Sequence, residues 1–154
     1  MPDMLVKLYD LPELDLSRQE AQGITVRRAI APEKHIVVGW VREHFNDHWA
    51  SEAEVAFTNT HITCYIATQE NTILGFACHD VSARNFFGPT GVDQTQRGKG
   101  IGAVLLLMAL HAMRWDGYGY AIIGGVGPAE FYTKIVGASL IPDSTPGIYK
   151  GMLK

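Results

Sequence analysis

The sequence predicts a mixed α and β domain, with antiparallel strands in its first half and a strand–helix–strand–helix unit after them. Two segments rich in β-forming residues, 63–68 and 72–81, are separated by Gln-Glu-Asn, which indicates a hairpin. A strongly apolar helical pattern begins after residue 98, and a short apolar strand at 120–124 follows it. Apolar residues make up 47% of the chain, which is enough to build one core for such a domain.

The first part of the chain carries weaker signals. Residues 1–22 have no clear periodicity, and we interpret them as an N-terminal arm that lies over the domain. Residues 24–30 predict a short strand, and Pro32 suits the first turn of a helix. Ser51 and Glu54 have the spacing of a capping box, which predicts the start of a second helix there. The apolar face of the first of these helices consists of Ile36, Val37, Trp40, Val41 and Phe45.

The second part is more regular. Residues 85–92 predict a strand in which Pro89 indicates a bulge or an unpaired edge position. Residues 128–136 predict a short helix ended by a glycine, and residues 140–141 and 148–149 predict a last hairpin. The long apolar helix between them has its periodic positions at Ile101, Val104, Leu105, Met108 and Ala112, with further leucines that require cover on most sides.

Length and charge narrow the classes of function. A chain of 154 residues fits one domain, which we place at residues 23–154 behind the arm at 1–22. The net charge of −3 argues against a nucleic-acid partner, and no apolar run is long enough to cross a membrane. Without a secretion signal, we expect a cytoplasmic protein in which Cys64 and Cys78 are buried free thiols.

The most informative segment is residues 92–102, VDQTQRGKGIG, where a strand gives way to the apolar helix. Its glycines allow successive backbone N–H groups to turn toward one point, and a helix N-terminus adds partial positive charge. Arg97 and Lys99 add formal positive charge. Together these features predict a site for a phosphate or diphosphate group.

Three ligand classes compete for this loop. A nucleoside-triphosphate P-loop requires Ser or Thr after Gly-Lys, whereas Gly100 stands there. A dinucleotide fingerprint ending at Ala103 has the right spacing, but five polar or charged residues separate it from the strand. The acyl-CoA pattern, Arg-x-x-Gly-x-Gly, is matched from Arg97 to Gly102. A helix entrance without a ligand is the remaining interpretation, although glycines in one turn cost about 1 kcal/mol each.

Two segments resemble the acyl-CoA signature blocks of the GNAT superfamily of N-acetyltransferases. The first is residues 91–102, and the second is residues 129–138, AEFYTKIVGA, which is similar to the family pattern A-x-x-F-Y-x-K-x-G-[FA] with one extra residue before the glycine. The resemblance implies a GNAT-like α+β fold: a mixed, mostly antiparallel twisted sheet of six or seven strands flanked by about four helices. It implies that the sheet splays open between the fourth and fifth predicted strands, which end at Val92 and begin at Tyr120.

The resemblance also implies a function and a set of site residues. The protein would transfer an acetyl group from acetyl-CoA to a primary amine by direct attack in a ternary complex, without a metal. The N–H of Val92 would polarise the thioester carbonyl, and Tyr132 would be the general acid for the thiolate. The diphosphate would accept hydrogen bonds from the backbone of Arg97, Gly98, Lys99, Gly100, Ile101 and Gly102.

Several points stay open at this stage. The segment 124–127 reads Gly-Gly-Val-Gly where many family members carry an asparagine, so backbone contacts would replace that side chain. Phe86 and Phe87 point to opposite faces of a strand, and one of them would line the acceptor cleft. The acceptor is a small-molecule or peptide amine, and a homodimer is a possible assembly. Candidates for the general base are His44, Asp47, His48, His79, Asp80 and Asp93, with water as an alternative.

Two alternative functions accompany this hypothesis. His44 and His48 have the i, i+4 spacing of a metal-binding pair, although no third ligand group is evident. The chain could also be a catalytically inactive acyl-CoA sensor or interaction module. The intact loop and Tyr132 favour the enzyme.

Overall fold

The computed structural model describes residues 1–154 as a seven-stranded sheet with helices on both faces. The strands are β1 (Met4–Lys7), β2 (Thr25–Arg28), β3 (Cys64–Gln69), β4 (Thr72–His79), β5 (Phe86–Val92), β6 (Tyr120–Ile123) and β7 (Ser139–Leu140). The helices are α1 (Ser17–Ala21), α2 (Lys34–His44), α3 (Asp47–Thr58), α4 (Ile101–Trp115) and α5 (Ala129–Val136). Short 3-10 turns lie at Leu8–Asp10, Ala31–Glu33, Gln94–Gln96 and Gly147–Tyr149.

The sheet opens between β5 and β6. The strand order is β2-β3-β4-β5-β6-β1-β7, and every neighbouring pair is antiparallel except β5 with β6. This parallel pair is short, since only Phe86 and Phe87 have partners on β6. Beyond Gly88, β5 continues alongside β4 alone until Val92. The predicted mixed sheet with a splay after the strand ending at Val92 is therefore confirmed.

The first residues are part of the sheet, not an arm lying over it. β1 pairs with β6 on one side and with β7 on the other, and Met4 and Val6 are buried against α4 and α5 while Leu5 and Lys7 point outward. The four-residue strand is too short to give a periodic signal. It is stabilised by partners more than 100 residues away, so the expectation of an arm without a strand was wrong.

The two helices after β2 also differ from their predicted form. Ile36 is 55% exposed, and the buried face of α2 is formed by Val37, Val38 and Val41. α3 begins at Asp47, because the Asn46 side chain accepts a hydrogen bond from the backbone N–H of Trp49. The capping box predicted at Ser51 was therefore wrong, since that residue lies inside the helix.

The hairpin and the proline bulge were predicted correctly. Glu70 and Asn71 connect β3 to β4 with φ of 48° and 62°, the pair of left-handed residues that a two-residue hairpin turn needs. In β5, Gly88 and Pro89 together face the single residue between Ala77 and His79. This bulge absorbs the proline, which has no N–H to donate to the ladder.

α4 forms the centre of the larger core. Eight of its residues are buried, and it packs between the sheet, the segment 8–16 and α5. α5 ends at Gly137, whose φ is 65°, as predicted from this glycine.

The predicted last hairpin was wrong, because β7 has two residues that pair with β1, and Gly147–Tyr149 forms a 3-10 turn instead. Cys64 and Cys78 are buried free thiols. None of the helices is both long and apolar enough to span a bilayer.

Candidate active site

The loop between β5 and α4 presents a run of unpaired backbone donors. Gly98 and Gly100 have φ of 84° and 73°, a left-handed conformation that other residues adopt at a cost of about 1–2 kcal/mol. Gly100 is the N-cap of α4, so the first N–H groups of the helix have no partner within it. No backbone N–H from Arg97 to Gly102 donates a hydrogen bond within the protein. These donors therefore stand at the positive end of a 15-residue helix.

The carbonyl groups of the same loop are held from behind by α1. Arg18 Nη2 donates to the Gly98 carbonyl oxygen at 2.7 Å, and Gln19 Nε2 donates to the Lys99 carbonyl oxygen at 2.9 Å. Gln19 is 2% exposed, so its amide is fixed in the core. An ideal Cβ on Gly100 would lie 3.0 Å from nitrogens of both side chains. Because the carbonyls point toward α1, the loop keeps its N–H groups free on the other side.

We predict that Gln19→Ala destabilises both the fold and this loop. The change removes a buried hydrogen bond to Lys99, and it should lower the free energy of unfolding by about 1 kcal/mol in urea denaturation. Any anion held by the loop should bind more weakly as well. Gln22→Ala is the matched control, because Gln22 is exposed and its side chain makes no hydrogen bond. Equal stability of the two variants would contradict the proposed bracing by α1.

The end of β5 directs one N–H into the opening of the sheet. The backbone N–H of Asp93 donates to the Leu74 carbonyl oxygen at 2.8 Å, toward β4. Successive amides of a strand point to opposite edges, so the N–H of Val92 points away from β4. On that side β6 has already separated from β5. Val92 therefore offers a free donor to anything lying in the gap.

Tyr132 lies on α5, next to the start of α4. The ring of its neighbour Phe131 and the Val92 side chain both lie 3.7 Å from the place of an ideal Cβ on Gly102. The two sequence blocks therefore meet at Gly102. Tyr132 is 7% exposed and its hydroxyl makes no hydrogen bond within the protein. Burial raises the pKa of the phenol above its ordinary value of 10.0, so it is a protonated donor at neutral pH.

Tyr132 is among the residues that line a cleft of about 850 Å³, which lies at the splay. Gly88, Pro89 and Thr90 of β5 form one wall, and the segment 123–128 forms the opposite wall. α3 and the C-terminal turn close the remaining sides. As expected from the alternation of Phe86 and Phe87, one of the pair, Phe87, lines the cleft.

The six candidate bases are dispersed by the fold. His48 lines the cleft, whereas Asp47 is exposed and pairs with Arg42. His44 stacks on Trp40, and its Nε2 lies 3.7 Å from Asp93. Two hydrogen bonds from Thr95, with the nearby His44, lower the pKa of the Asp93 carboxyl. The i, i+4 spacing of His44 and His48 does not place them on one helix face, because α2 ends at His44 and His48 belongs to α3.

His79 and Asp80 form a buried network that does not line the cleft. His79 is fully buried, with Nε2 at 3.1 Å from the Tyr65 hydroxyl and Nδ1 at 2.5 Å from Asp80 Oδ2. Asp80 also accepts hydrogen bonds from the Tyr118 hydroxyl and the Asn85 backbone N–H. Burial alone would raise the pKa of Asp80, but these hydrogen bonds outweigh it and lower the pKa. The two residues stabilise the fold where β4 turns toward β5.

We predict that Asp80→Asn lowers the free energy of unfolding at neutral pH by about 2 kcal/mol, because hydrogen bonds to a buried charge are lost. A lowered folded-state pKa means that the ionised carboxylate stabilises the fold above its unfolded value of 3.8. This contribution disappears as the pH falls through the folded-state pKa, so the variant and the wild type should converge in acid. Urea denaturation across pH tests this, with the exposed Asp10→Asn as control. A difference that grows as pH falls would contradict the assignment.

The glycine-rich segment after β6 is less free than its sequence indicates. The N–H of Gly125 donates to Asp3 Oδ1 at 2.8 Å, and the N–H of Val126 donates to the Pro2 carbonyl oxygen at 2.9 Å. An ideal Cβ on Gly124 would lie 3.0 Å from the Phe86 ring. Glycine at 124 thus allows close packing, and the two amides that follow are occupied by the N-terminal segment. These two amides are therefore not free to replace the missing asparagine, which differs from the expectation that backbone contacts take its place.

Sequence reasoning missed the residues that reach the site from distant segments. Arg18 and Gln19 brace the loop from 80 positions earlier in the chain. Glu52 and Ser82 both line the cleft and are joined by a hydrogen bond. No local pattern signals either pairing, since each depends on the packing of separate elements.

Comparison with known proteins agrees with this geometry. The profile described as Acetyltransferase (GNAT) family matches residues 10–137. The chain belongs to the GNAT family of acetyltransferases. No curated protein matches the sequence. The family assignment explains why the glycine loop and the α5 block lie together at the opening of the sheet.

Solved GNAT structures share the fold at low sequence identity. A GCN5-related glucosamine N-acetyltransferase region of a fungal multi-domain GH3 beta-N-acetylglucosaminidase has a TM-score of 0.74 and 17% identity over 91% of this chain. A GCN5-related N-acetyltransferase from Sphaerobacter thermophilus has a TM-score of 0.71 and 18% identity over 91%. The chain spans only 19% and 48% of these two proteins.

A third relative was solved with a ligand. A GNAT family acetyltransferase from Brucella melitensis, in complex with acetyl-CoA, has a TM-score of 0.59 and 15% identity. The match covers 77% of this chain and 86% of that one. At such identities the likeness to these structures establishes the fold alone.

Proposed function

We propose that this GNAT protein transfers an acetyl group from acetyl-CoA to a primary amine. One observation carries the proposal: the N–H groups of residues 97–102 are all unpaired at the start of α4, while the carbonyls of Gly98 and Lys99 are turned toward α1. Such a set of amides fits a diphosphate, which accepts hydrogen bonds at several oxygens. The acetyl-CoA bound by the Brucella melitensis relative is consistent with this ligand.

Different residues would bind the diphosphate and the thioester of acetyl-CoA. Amides of Arg97, Gly98, Lys99, Gly100, Ile101 and Gly102 would hold the diphosphate. Lys99 Nζ is positioned by Gln96 Oε1 at 2.6 Å, and the Arg97 side chain is exposed beside the loop. The N–H of Val92, which points into the gap beside β5, would polarise the carbonyl of the thioester. Most of these contacts use the backbone, so they depend on the shape of the loop more than on its side chains.

Acetyl-CoA supplies an acetyl group activated as a thioester. Tyr132 would donate its phenolic proton to the sulfur as the carbon–sulfur bond breaks and the new carbon–nitrogen bond forms. The amine loses its proton to solvent or to a cleft residue, and the tyrosinate recovers a proton from water. The raised pKa of Tyr132 keeps it in the acid form before the reaction. The cleft beside Tyr132 would hold both reactants close together, which lowers the entropic cost of reaction.

Two assays test this proposal. Acetyl-CoA should raise the melting temperature, since a ligand at 100 times its Kd stabilises the folded state by about 2.7 kcal/mol, and NAD and NADP should not. Release of CoA thiol should then depend on an added primary amine. Stabilisation by NADP alone would favour the dinucleotide interpretation. Tight acetyl-CoA binding with no turnover on any amine would instead indicate an inactive sensor. The homodimer stays a prediction.

A further inference from the structure

The cleft beside Tyr132 has an unusual distribution of charge. Glu52 is the one carboxylate among the residues that line it. No lining residue carries an ammonium or guanidinium side chain, and the cationic group among them is the backbone α-amino group of Met1. The remaining titratable side chains are His48, Tyr132 and Tyr149. A cationic group entering the cleft therefore meets a single negative charge and no positive side chain. An anionic group would be repelled by Glu52 and would find no positive side chain to pair with.

Glu52 is positioned by the fold to face this space. It lies on α3, is half-buried, and accepts a hydrogen bond at Oε2 from the Ser82 hydroxyl. Its second oxygen, Oε1, accepts no hydrogen bond within the protein. Burial raises the pKa of the nearby Tyr149 phenol, and the charge of Glu52 acts in the same direction. One oxygen of the carboxylate is thus fixed, and the other remains available to a ligand.

The rest of the cleft is mainly apolar. Its apolar side chains are aromatic, aliphatic or thioether groups, among them Trp49, Phe87, Pro89, Ile123, Val126 and Met152. Polar groups also line it: the hydroxyls of Ser51, Ser82, Thr90, Tyr132 and Tyr149, the amide of Asn46 and the imidazole of His48. A second positive charge on a ligand would lose its water without gaining a partner of opposite sign, and a carboxylate would be repelled by Glu52. A sugar would place several hydroxyls against the apolar walls, where they lose water without gaining partners.

We infer that the acceptor is a primary amine on an uncharged, apolar body, and that Glu52 recognises its nitrogen. This inference rests on the proposed acetyl transfer. A carboxylate accepts hydrogen bonds from both the ammonium and the neutral amine, so Glu52 can hold the nitrogen before and after its proton is lost. Ser82 keeps the carboxylate oriented. Amino acids, polyamines and amino sugars should be poor acceptors.

The test compares acceptors on the full chain at saturating acetyl-CoA. 2-Phenylethylamine and hexylamine represent apolar amines, and spermidine, leucine and glucosamine represent the excluded classes. We expect kcat/KM for the two apolar amines to exceed that for each of the others by about tenfold or more, since an unpaired buried polar or charged group is costly. A preference for spermidine, leucine or glucosamine would overturn the inference while leaving the proposed acetyl transfer intact.

A pair of variants isolates the carboxylate. Glu52→Gln keeps the size of the side chain and removes its charge, whereas Glu54→Gln changes an exposed residue of the same helix that pairs with Lys34. Glu52→Gln should lower kcat/KM for 2-phenylethylamine about 10- to 100-fold with unchanged acetyl-CoA affinity, and Glu54→Gln should not. Equal effects of the two variants, at equal melting temperatures, would refute the role of Glu52.

Direct binding separates this inference from the chemistry. Calorimetric titration of the CoA-loaded protein with 2-phenylethylamine should give binding that Glu52→Gln weakens. If 2-phenylethylamine binds in this way but no amine is acetylated, the proposed acetyl transfer fails and the recognition by Glu52 is retained. If amines are acetylated and Glu52→Gln does not weaken the binding, only the recognition by Glu52 fails.

Discussion

The Gly100→Glu variant is expected to bind acetyl-CoA about 100-fold more weakly than the wild-type protein, a loss of about 2.7 kcal/mol. Three effects add up. Residue 100 has φ of 73°, which disfavours any side chain. Its Cβ would lie 3.0 Å from nitrogens of Arg18 and Gln19, so the brace behind the loop must move. The new carboxylate would also repel the diphosphate that the loop amides are proposed to hold.

Titration calorimetry measures this loss, and the chain offers a matched control. Gly119→Glu adds the same charge at an exposed glycine between α4 and β6, whose φ is not positive and whose Cβ would have no neighbour within 4 Å. It should bind acetyl-CoA as the wild type does. If Gly100→Glu remained folded and also bound with unchanged affinity, the diphosphate could not lie against these amides.

Tyr132→Phe is expected to lower kcat by about 100-fold or more, since positioned general acids contribute 10²–10⁴ to rates. The phenol is buried at the cleft and makes no other hydrogen bond, so its removal should cost little stability. The KM for acetyl-CoA should change little, because the binding amides lie on another segment. Tyr9→Phe, an exposed tyrosine that contacts Tyr120, is the control and should retain full activity.

The pH dependence of the wild type provides a second test of Tyr132. Its pKa lies above 10.0 because burial disfavours the charged phenolate. A general acid must be protonated, so its contribution is complete at neutral pH and is lost as the pH rises through that raised value. The high-pH limb of kcat should therefore lie above pH 10.0 and be absent in Tyr132→Phe. A variant with wild-type kcat would remove Tyr132 from the mechanism.

The parts of the fold that could be predicted from sequence are those with a strong local signal. α4 has an apolar pattern over 15 residues, and α5 lies between Pro128 and Gly137. The hairpin at Glu70 and Asn71 requires only local turn chemistry. In each case, the residues that define the element are close together in the sequence.

The missed elements depend on distant partners. β1 has four residues, and its place between β6 and β7 is set by residues 120–123 and 139–140. α1 has five residues, too few for a helical period, and is held in part by Arg18 and Gln19 contacting the loop. A short segment of this kind has no stable structure by itself, so its own sequence carries little information.

The candidate site likewise has a part with a local sequence signal and a part that depends on contacts between distant segments. The glycine loop and Tyr132 were predicted because they belong to two contiguous blocks. Glu52 and Ser82 were not, because 30 residues separate them and their hydrogen bond forms only after α3 packs beside the sheet. The glycine loop could be predicted because its backbone shape depends on neighbouring residues. Glu52 and Ser82 could not, because their pairing depends on how separate elements pack.

The free amides of residues 97–102 are proposed to hold the diphosphate of CoA. Calorimetric titration of the wild-type protein with acetyl-CoA and with S-acetylpantetheine, which carries the same thioester but no diphosphate, tests this proposal directly. We predict one acetyl-CoA site per chain, and binding of S-acetylpantetheine weaker by about 100-fold or more. Equal affinity for the two ligands, or no heat with acetyl-CoA at millimolar concentration, would contradict the account.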